Sequence, residues 1–161
     1  HVLRGAGETY VPEHGHDIPH EHKEVSAVMI KFRMPTAGLQ LDQEINKSGK
    51  KEQMVIITFG KEVAVQAKQS MPGIPVYWLR GNFTEYSLDE VVAIAKENQL
   101  DGLDLNHQLV TPELMQRMDK EGLEVHVYTV NDAKAAKKLM EMKVKGITTD
   151  RPRWLREQVL Q

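Results

Sequence analysis

Cysteine is absent from the 161 residues, which excludes disulfide bonds, thiolate nucleophiles and zinc–cysteine sites. No apolar run approaches the roughly 18 residues that a membrane-spanning helix needs, and no basic and apolar leader opens the chain at His1. The net charge of −2 gives no electrostatic reason to expect a nucleic-acid backbone or an anionic membrane as the main partner. We therefore expect a soluble or already processed protein that binds a small ligand, in a compartment that the sequence does not fix.

The composition is that of a folded domain, with 40% hydrophobic and 27% charged residues. From residue 54 onward, short apolar runs alternate with helical patterns, which is typical of repeated βα units and a parallel sheet. The predicted strands are 54–59, 75–79, 102–105, 125–130 and 146–149. A further strand is predicted over 26–32 and a helix over 39–47, whereas the first 24 residues have the pattern of a loop.

Helix boundaries are marked by capping residues. Ser87 and Glu90 form a capping box that predicts a helix over 88–98. Thr111 and Pro112 supply an N-cap and a first-turn proline, and Gly122 supplies a C-terminal stop. A further helix is predicted to open at 131 or 132, with its lysines in solvent.

Two motifs near the end of the chain point to a known family. Residues 125–131 read VHVYTVN, and residues 146–152 read GITTDRP. This pair resembles the glycerophosphodiester phosphodiesterase pattern V-x-V-W-T-V-N followed by G-I-x-T-D-x-P. The strands VIITF at 55–59, IPVYWL at 74–79 and LDGLDL at 100–105 are similar to the family's preceding strands. The resemblance implies an α/β fold, the eight-stranded (β/α)8 barrel of TIM type.

The chain is short for such a barrel, which takes about 250 residues, with about 30 for each βα unit. We therefore predict one domain over 1–161 that is a partial barrel with abbreviated or missing N-terminal strands. In it, 1–24 is a loop-like remnant of the catalytic region and 54–161 holds the C-terminal βα units. Because an open parallel sheet exposes edges and apolar faces, either another chain completes it, as in a homo-oligomer, or residues are missing.

Barrel enzymes place their chemistry at the carboxyl ends of the strands. In this sequence those ends carry Thr58, Arg80, Asn106, Asn131 and Asp150. Tyr128 stands where the family usually has tryptophan, so the resemblance implies an aromatic wall for the substrate with an added hydroxyl; the alternative is a core aromatic. For Asp150 we favour a structural role, capping the final helix ahead of Pro152.

The resemblance also implies an activity: hydrolysis of a glycerophosphodiester to glycerol 3-phosphate and an alcohol, assisted by two histidines and a carboxylate-bound divalent cation. His1, Arg4 and Gly5 resemble the family's His-Arg-Gly with two residues interposed, and 16–17 resemble its His-Asp. His1 and His16 are thus the acid/base candidates and Arg4 a phosphate ligand. Glu13, in a Pro-Glu pair, is the candidate ligand for Ca²⁺ or Mg²⁺.

Residues 28–31, VMIK, are similar to a Glu-Ile-Lys strand in which Lys31 would face the phosphate. Met29 replaces the metal-binding glutamate, and no Glu-x-Asp strand intervenes between Glu13 and His16. These departures leave an alternative open, a catalytically inactive barrel fragment that binds phospholipid headgroups or acts in oligomerisation. A third hypothesis is transition-metal binding by the histidines of 14–22.

Overall fold

The computed structural model describes residues 9–10, 28–32, 47 and 51–160. The described strands are β1 Thr9–Tyr10, β2 Val28–Phe32, β3 Met54–Thr58, β4 Val76–Arg80, β5 Gly102–Asn106, β6 Glu124–Tyr128 and β7 Gly146–Thr148. The described α-helices are α1 Lys61–Ser70, α2 Leu88–Glu97, α3 Pro112–Glu121, α4 Ala133–Glu141 and α5 Pro152–Val159. Strand and helix alternate from β3 to α5, as the sequence pattern predicts. None of these helices has the length and hydropathy required to cross a bilayer.

The strands form one sheet in the order β1-β7-β6-β5-β4-β3-β2. Every neighbouring pair from β2 to β7 is parallel, and a single row of partners runs Ile57, Tyr77, Gly102 and Glu124 across four strands. This curled sheet with its helices is a partial TIM-type barrel, which confirms the predicted fold class. The barrel is open in the described part of the chain, where β1 and β2 form the two edges.

One short strand lies inside the segment predicted to be a loop. Thr9 pairs with Thr148 and Tyr10 with Ile147, in the antiparallel direction. The pairing covers the backbone groups that β7 would otherwise present at the sheet edge. The loop prediction for 1–24 is therefore wrong at these two residues. The predicted helix over 39–47 lies outside the described residues except for its last, Lys47, which is helical.

The predicted helix boundaries are formed by the capping residues themselves. Ser87 accepts from the Glu90 amide while the Glu90 carboxylate accepts from the Ser87 amide, the two bonds of a capping box. Thr111 caps α3, and Gly122 ends it with a φ of 70°, a left-handed conformation that glycine adopts without steric cost. Strand β4 begins at Val76 and not at Pro75, because proline has no amide to donate to a neighbour.

The hydrophobic core lies on the outer face of the sheet, beneath the helices. Its fully buried side chains include Ile56, Trp78, Leu103, Val127 and Ile147. Trp78 also donates its indole N–H to the carbonyl of Phe59 at 2.9 Å. The inner face, which points toward the barrel axis, carries a separate group of buried residues. Side chains that alternate between the two faces along each strand therefore separate a helix-covered core from the barrel interior.

Candidate active site

The carboxyl ends of the parallel strands lie at one rim of the sheet, where a TIM-type barrel builds its site. Thr58, Arg80, Asn106, Tyr128 and Thr148 are the last residues of β3 to β7. The sequence prediction named the first three of these ends. The rim side chains differ in character, since Thr58 and Arg80 are buried while Asn106 and Tyr128 are half-buried.

An aromatic corner forms where β3 and β6 end. The ring of Phe59 meets that of Tyr128 edge to face, with centroids 6.1 Å apart and planes at 89°. Phe59 is 48% exposed, so the corner opens to solvent. A methyl group added at Gly81 would lie 3.6 Å from the Tyr128 hydroxyl, which places that hydroxyl over the end of β4. Tyr128 therefore lies at this rim in contact with a second ring, Phe59, and its role as an aromatic wall for the substrate stays a prediction.

The Tyr128 hydroxyl is kept in its protonated form. Burial raises the pKa of Tyr128, the negative charge of Asp104 raises it further, and the positive charge of Arg80 acts in the opposite direction. A phenol held protonated is a hydrogen-bond donor at neutral pH. It can donate to an alcohol or phosphoryl oxygen bound at this rim.

Arg80 is held between aromatic rings at the same rim. Its guanidinium carbon lies 4.9 Å from the ring centre of Trp78 and 5.4 Å from that of Tyr86. Both terminal nitrogens lie 3.5 Å from the exposed carboxylate of Glu85, and Nε has no hydrogen-bond partner among the described residues. The rings therefore hold the positive charge of Arg80 in place, while its hydrogen bonds to the Glu85 carboxylate are long.

The two motif segments that carried the family resemblance are bonded to each other. Asn131 donates its amide N–H to the Asp150 carboxylate at 2.7 Å, and its side-chain oxygen accepts from the Thr149 hydroxyl and the Asp150 backbone, both at 2.9 Å. The favoured role of Asp150 was wrong: the N-cap of α5 is Arg151, without a side-chain cap bond. Asp150 instead braces the β6 loop against the β7 loop. The helix that follows Asn131 is capped by Asp132.

The inner face of the sheet carries polar side chains that the sequence prediction missed. Asp104 and His126 are partners across β5 and β6 and are both buried. The His126 ring lies 4.1 Å from that of Tyr77, whose hydroxyl donates to Glu124 at 2.5 Å. Burial lowers the pKa of His126 to about 4, although Glu124 acts to raise it, so the imidazole is neutral. The alternation of polar residues in GLDLN and EVHVY was the available signal.

Comparison with known proteins decides the family. The model of the glycerophosphoryl diester phosphodiesterase family matches residues 10–153. The chain belongs to this family. A glycerophosphodiester phosphodiesterase of Bacillus subtilis is 27% identical over 121 residues, which cover 72% of this chain and 40% of that protein.

Solved structures agree on the fold of this family member. A glycerophosphodiester phosphodiesterase from Parabacteroides distasonis superimposes with a TM-score of 0.67 at 20% identity, over 82% of this chain and 56% of that one. A phosphodiesterase from Oleispira antarctica, in complex with the product sn-glycerol-3-phosphate, has a TM-score of 0.63 at 15% identity, over 86% and 57%. The family member described here thus spans 40% of the curated relative and somewhat more than half of each of these structures.

The site residues predicted from the family resemblance fall into two groups. His1, Arg4, Glu13 and His16 lie outside the described residues. Lys31 lies in β2, where it pairs with Ile57 of β3, and Tyr128 forms the aromatic corner. The structure therefore locates the strand of one predicted phosphate ligand and the side chain of the predicted aromatic wall.

The resemblance also implied a divalent cation. Within 51–160 and the shorter described segments, no group of three histidine, aspartate or glutamate side chains could hold a metal ion. The carboxylates of the interior, Asp104 and Glu124, sit at different levels of the barrel and do not converge on one point with a third ligand. The predicted ligand Glu13 is not among these residues, so its role as a cation ligand stays a prediction.

Proposed function

We propose that this chain hydrolyses glycerophosphodiesters to glycerol 3-phosphate and an alcohol. The observation that carries the proposal is the family match over residues 10–153. The B. subtilis relative has the name of this activity, and the O. antarctica structure contains the corresponding product. The class of substrate follows from these names, while the alcohol is not specified by them.

The reaction requires a base, an acid and cationic groups for the phosphoryl oxygens. A water oxygen bonds to phosphorus while the bond from phosphorus to the alcohol oxygen breaks; the base takes the proton of the water and the acid protonates the departing alkoxide. We assign the base and acid to His1 and His16, and the phosphoryl contacts to Arg4 and Lys31. The pairing of residue 31 with Ile57, an inner-face residue, supports the last assignment.

The rim supports a binding role for the aromatic corner. Phe59 and Tyr128 offer two ring surfaces at right angles, open to solvent, against which the glycerol or an apolar alcohol can pack. The protonated Tyr128 hydroxyl supplies one donor, and the charge of Arg80 lies nearby. Because these groups bind without reacting, their loss should raise KM more than it lowers kcat.

A divalent cation, Ca²⁺ or Mg²⁺, remains part of the proposal, with Glu13 as its ligand. Such a cation, when bound, neutralises charge on phosphoryl oxygens. Hard oxygen ligands suit both ions, so the ligand type does not choose between them. The roles assigned to His1, His16, Arg4 and Lys31 concern protons and direct phosphate contacts only.

The test is hydrolysis of glycerophosphocholine by the full chain, followed by phosphorus NMR. Each of His1→Ala and His16→Ala should lower kcat by about 10²-fold or more, the usual contribution of general acid–base catalysis. His20→Ala is the matched control, since it removes a histidine of the same segment to which the proposed hydrolysis assigns no role. Unchanged kcat in both variants, or an equal loss in the control, would contradict the assignment.

A second candidate function is binding of the same headgroups without hydrolysis, including by an assembly of two or more copies. It is favoured by Met29, an apolar residue where the resemblance implies a metal-binding glutamate. Calorimetric titration with glycerophosphocholine separates the two. Heat of binding with no product, in the presence of Ca²⁺ or Mg²⁺, supports binding alone, whereas turnover excludes it.

A further inference from the structure

The small net charge of the chain conceals a strongly basic region at its C-terminal end. Residues 133–160 contain eight lysines and arginines against three acidic residues, while the chain as a whole has a net charge of −2. These cations lie on α4, on the segment that leads into and out of β7, and on α5. Seven of the eight are exposed: Lys134, Lys137, Lys138, Lys143, Lys145, Arg151 and Arg153.

Most of these cations form no ion pair with a residue of the described part of the chain. On the neighbouring α2 and α3, Lys96 pairs with Glu121, and Arg117 pairs with both Asp89 and Glu121. In the basic region Lys145 pairs with Glu124, and the others form no ion pair with a described residue. The charges on α2 and α3 thus neutralise one another, whereas the region over 133–160 presents a net positive charge to its surroundings.

An exposed tryptophan lies among these cations. Trp154 on α5 is 38% exposed, and the guanidinium of Arg151 lies 5.7 Å from its ring centre. The next residue of the same helix, Leu155, is buried. Tryptophan beside arginine on a surface is a combination that favours the boundary between water and lipid, where the ring and the charge each find a suitable medium.

The basic residues of α4 and α5 lie on two helices that are neighbours in the fold. Helices α4 and α5 contact each other on the outer side of the sheet. Ala136 and Met140 of α4 and Leu155 and Val159 of α5 line the shallow cleft between them. We call the exposed residues Lys134, Lys137, Lys138, Arg151, Arg153 and Trp154 the basic face. The exposed Glu141 and Glu157 lie on the same two helices, so five cations face two carboxylates and the face keeps a net positive charge.

We propose that the basic face docks on the surface of an anionic phospholipid bilayer. The charges are complementary, because an anionic leaflet attracts exposed cations, and each cation contributes roughly fivefold to the partition coefficient when it lies near the surface. The exposed tryptophan adds an apolar group that can enter the headgroup layer of a bilayer. Binding to the phosphate backbone of a nucleic acid would need only the positive charges. The contact is peripheral, and it does not depend on the hydrolytic activity proposed above.

The test is binding of the full chain to vesicles of phosphatidylcholine, with or without phosphatidylglycerol, at low salt. Binding is expected only with phosphatidylglycerol and should weaken as salt is added. The emission of Trp154 should shift to shorter wavelength on binding, while Trp78, which is 1% exposed, gives a constant background. Trp154→Phe should abolish the spectral shift.

Two triple variants test whether the vesicles bind at the basic face or respond only to the net charge of the chain. The triple variant Lys134→Gln, Lys137→Gln, Lys138→Gln should lower the partition coefficient by about a hundredfold. The matched triple Lys47→Gln, Lys51→Gln, Lys120→Gln makes the same change in net charge at exposed lysines elsewhere and should lower it by less than about tenfold. Both variants must keep the circular dichroism spectrum and Tm of the parent.

Four results would overturn the proposal. The first is no binding to the anionic vesicles, and the second is an equal loss of partition coefficient in the two triple variants. The third is tighter binding to duplex DNA than to the vesicles at the same salt concentration. The fourth is a dimer in solution in which Trp154 is shielded from a quencher. The third result would identify the basic face as a nucleic-acid contact and the fourth as a contact between copies.

Discussion

The two faces of the parallel sheet are built from different chemistry, although they share the same strands. The outer face is apolar, with Ile56, Trp78 and Leu103 sealed beneath the helices. The inner face combines apolar residues with buried Asp104 and His126. The outer face therefore stabilises the fold mainly through buried apolar area, whereas the stability of the inner face also depends on the charge state of its polar side chains.

The difference originates in the strand pleat. In β5 and β6 every second side chain is polar or glycine toward the barrel axis and apolar toward the helices. We therefore expect substitutions on the inner face to change the free energy of unfolding in a way that depends on pH, and substitutions on the outer face to change it equally at every neutral pH.

Gly102 on the inner face should give the largest effect. A Cβ atom there would lie 2.0 Å from the carbonyl oxygen of Glu124 on the neighbouring strand, so the two backbones must separate. Gly102→Ala should lower the free energy of unfolding by more than about 4 kcal/mol, measured by urea denaturation. In Gly81→Ala the added atom meets only the Tyr128 hydroxyl at 3.6 Å, and the change should stay below about 1 kcal/mol. Equal midpoints for the two variants would show that β5 and β6 can move apart freely.

Trp78 represents the outer face. Its side chain is 1% exposed and donates to the Phe59 carbonyl, so Trp78→Ala removes a large buried area and a hydrogen bond. We expect a loss of about 3–5 kcal/mol that is the same across the neutral pH range. Trp154→Ala on the exposed side of α5 should cost less than about 1 kcal/mol. A loss at Trp78 that varies strongly with pH would contradict the distinction between the faces.

Much of the fold could be predicted because local signals agree with the tertiary structure. The capping box at Ser87 and the glycine stop at Gly122 act within one turn of chain, so they are visible in sequence. The two-residue strand at Thr9 was not predictable, because its pairing depends on β7, more than a hundred residues away. Local pattern alone carries no information on such an edge contact.

The site was less predictable than the fold. Tyr128 could be singled out because it stands at the tryptophan position of a family motif, but its partner Phe59 was not identified, since an edge-to-face contact between residues of two strand ends has no local signature. Asp150 was misjudged for a related reason. An aspartate before proline is typical of a helix cap, and only the three-dimensional structure shows that Asn131 binds it.

His126 should make the stability of the fold depend on pH. Its pKa is about 4 in the folded chain against 6.5 for a free side chain, so the unfolded chain takes up a proton first as pH falls. The folded state should therefore lose about 2 kcal/mol between pH 6.5 and roughly pH 5, with no loss from this residue above that window. Urea denaturation of the parent and of His126→Gln over this range measures the difference.

The variant His126→Gln removes the titrating imidazole, so it should flatten the pH profile of the free energy of unfolding that the parent shows. Parallel profiles for the parent and His126→Gln would mean that the buried imidazole does not control the acid sensitivity of the inner face.

Removing the Tyr77 hydroxyl should give the smallest of these losses in stability. Its hydroxyl donates to Glu124 on the inner side, and burial holds the pKa of Tyr77 well above its ordinary value. Burial alone would raise the pKa of Glu124, but the bonds from Tyr77 and Lys145 outweigh it and keep that pKa below 4.5.

Tyr77→Phe should cost about 1 kcal/mol at neutral pH, near the low end for a bond to a charged group because Glu124 is partly solvated. A carboxylate with a lowered folded pKa stabilises the fold above its unfolded pKa of 4.5, so the cost should shrink as pH falls below that value. Tyr86→Phe, on the helix side of the sheet, removes a hydroxyl from a half-buried ring and should change stability by less than about 0.5 kcal/mol at every pH. If both variants lost the same free energy of unfolding at every pH, the hydrogen bond from Tyr77 to Glu124 would not contribute to stability.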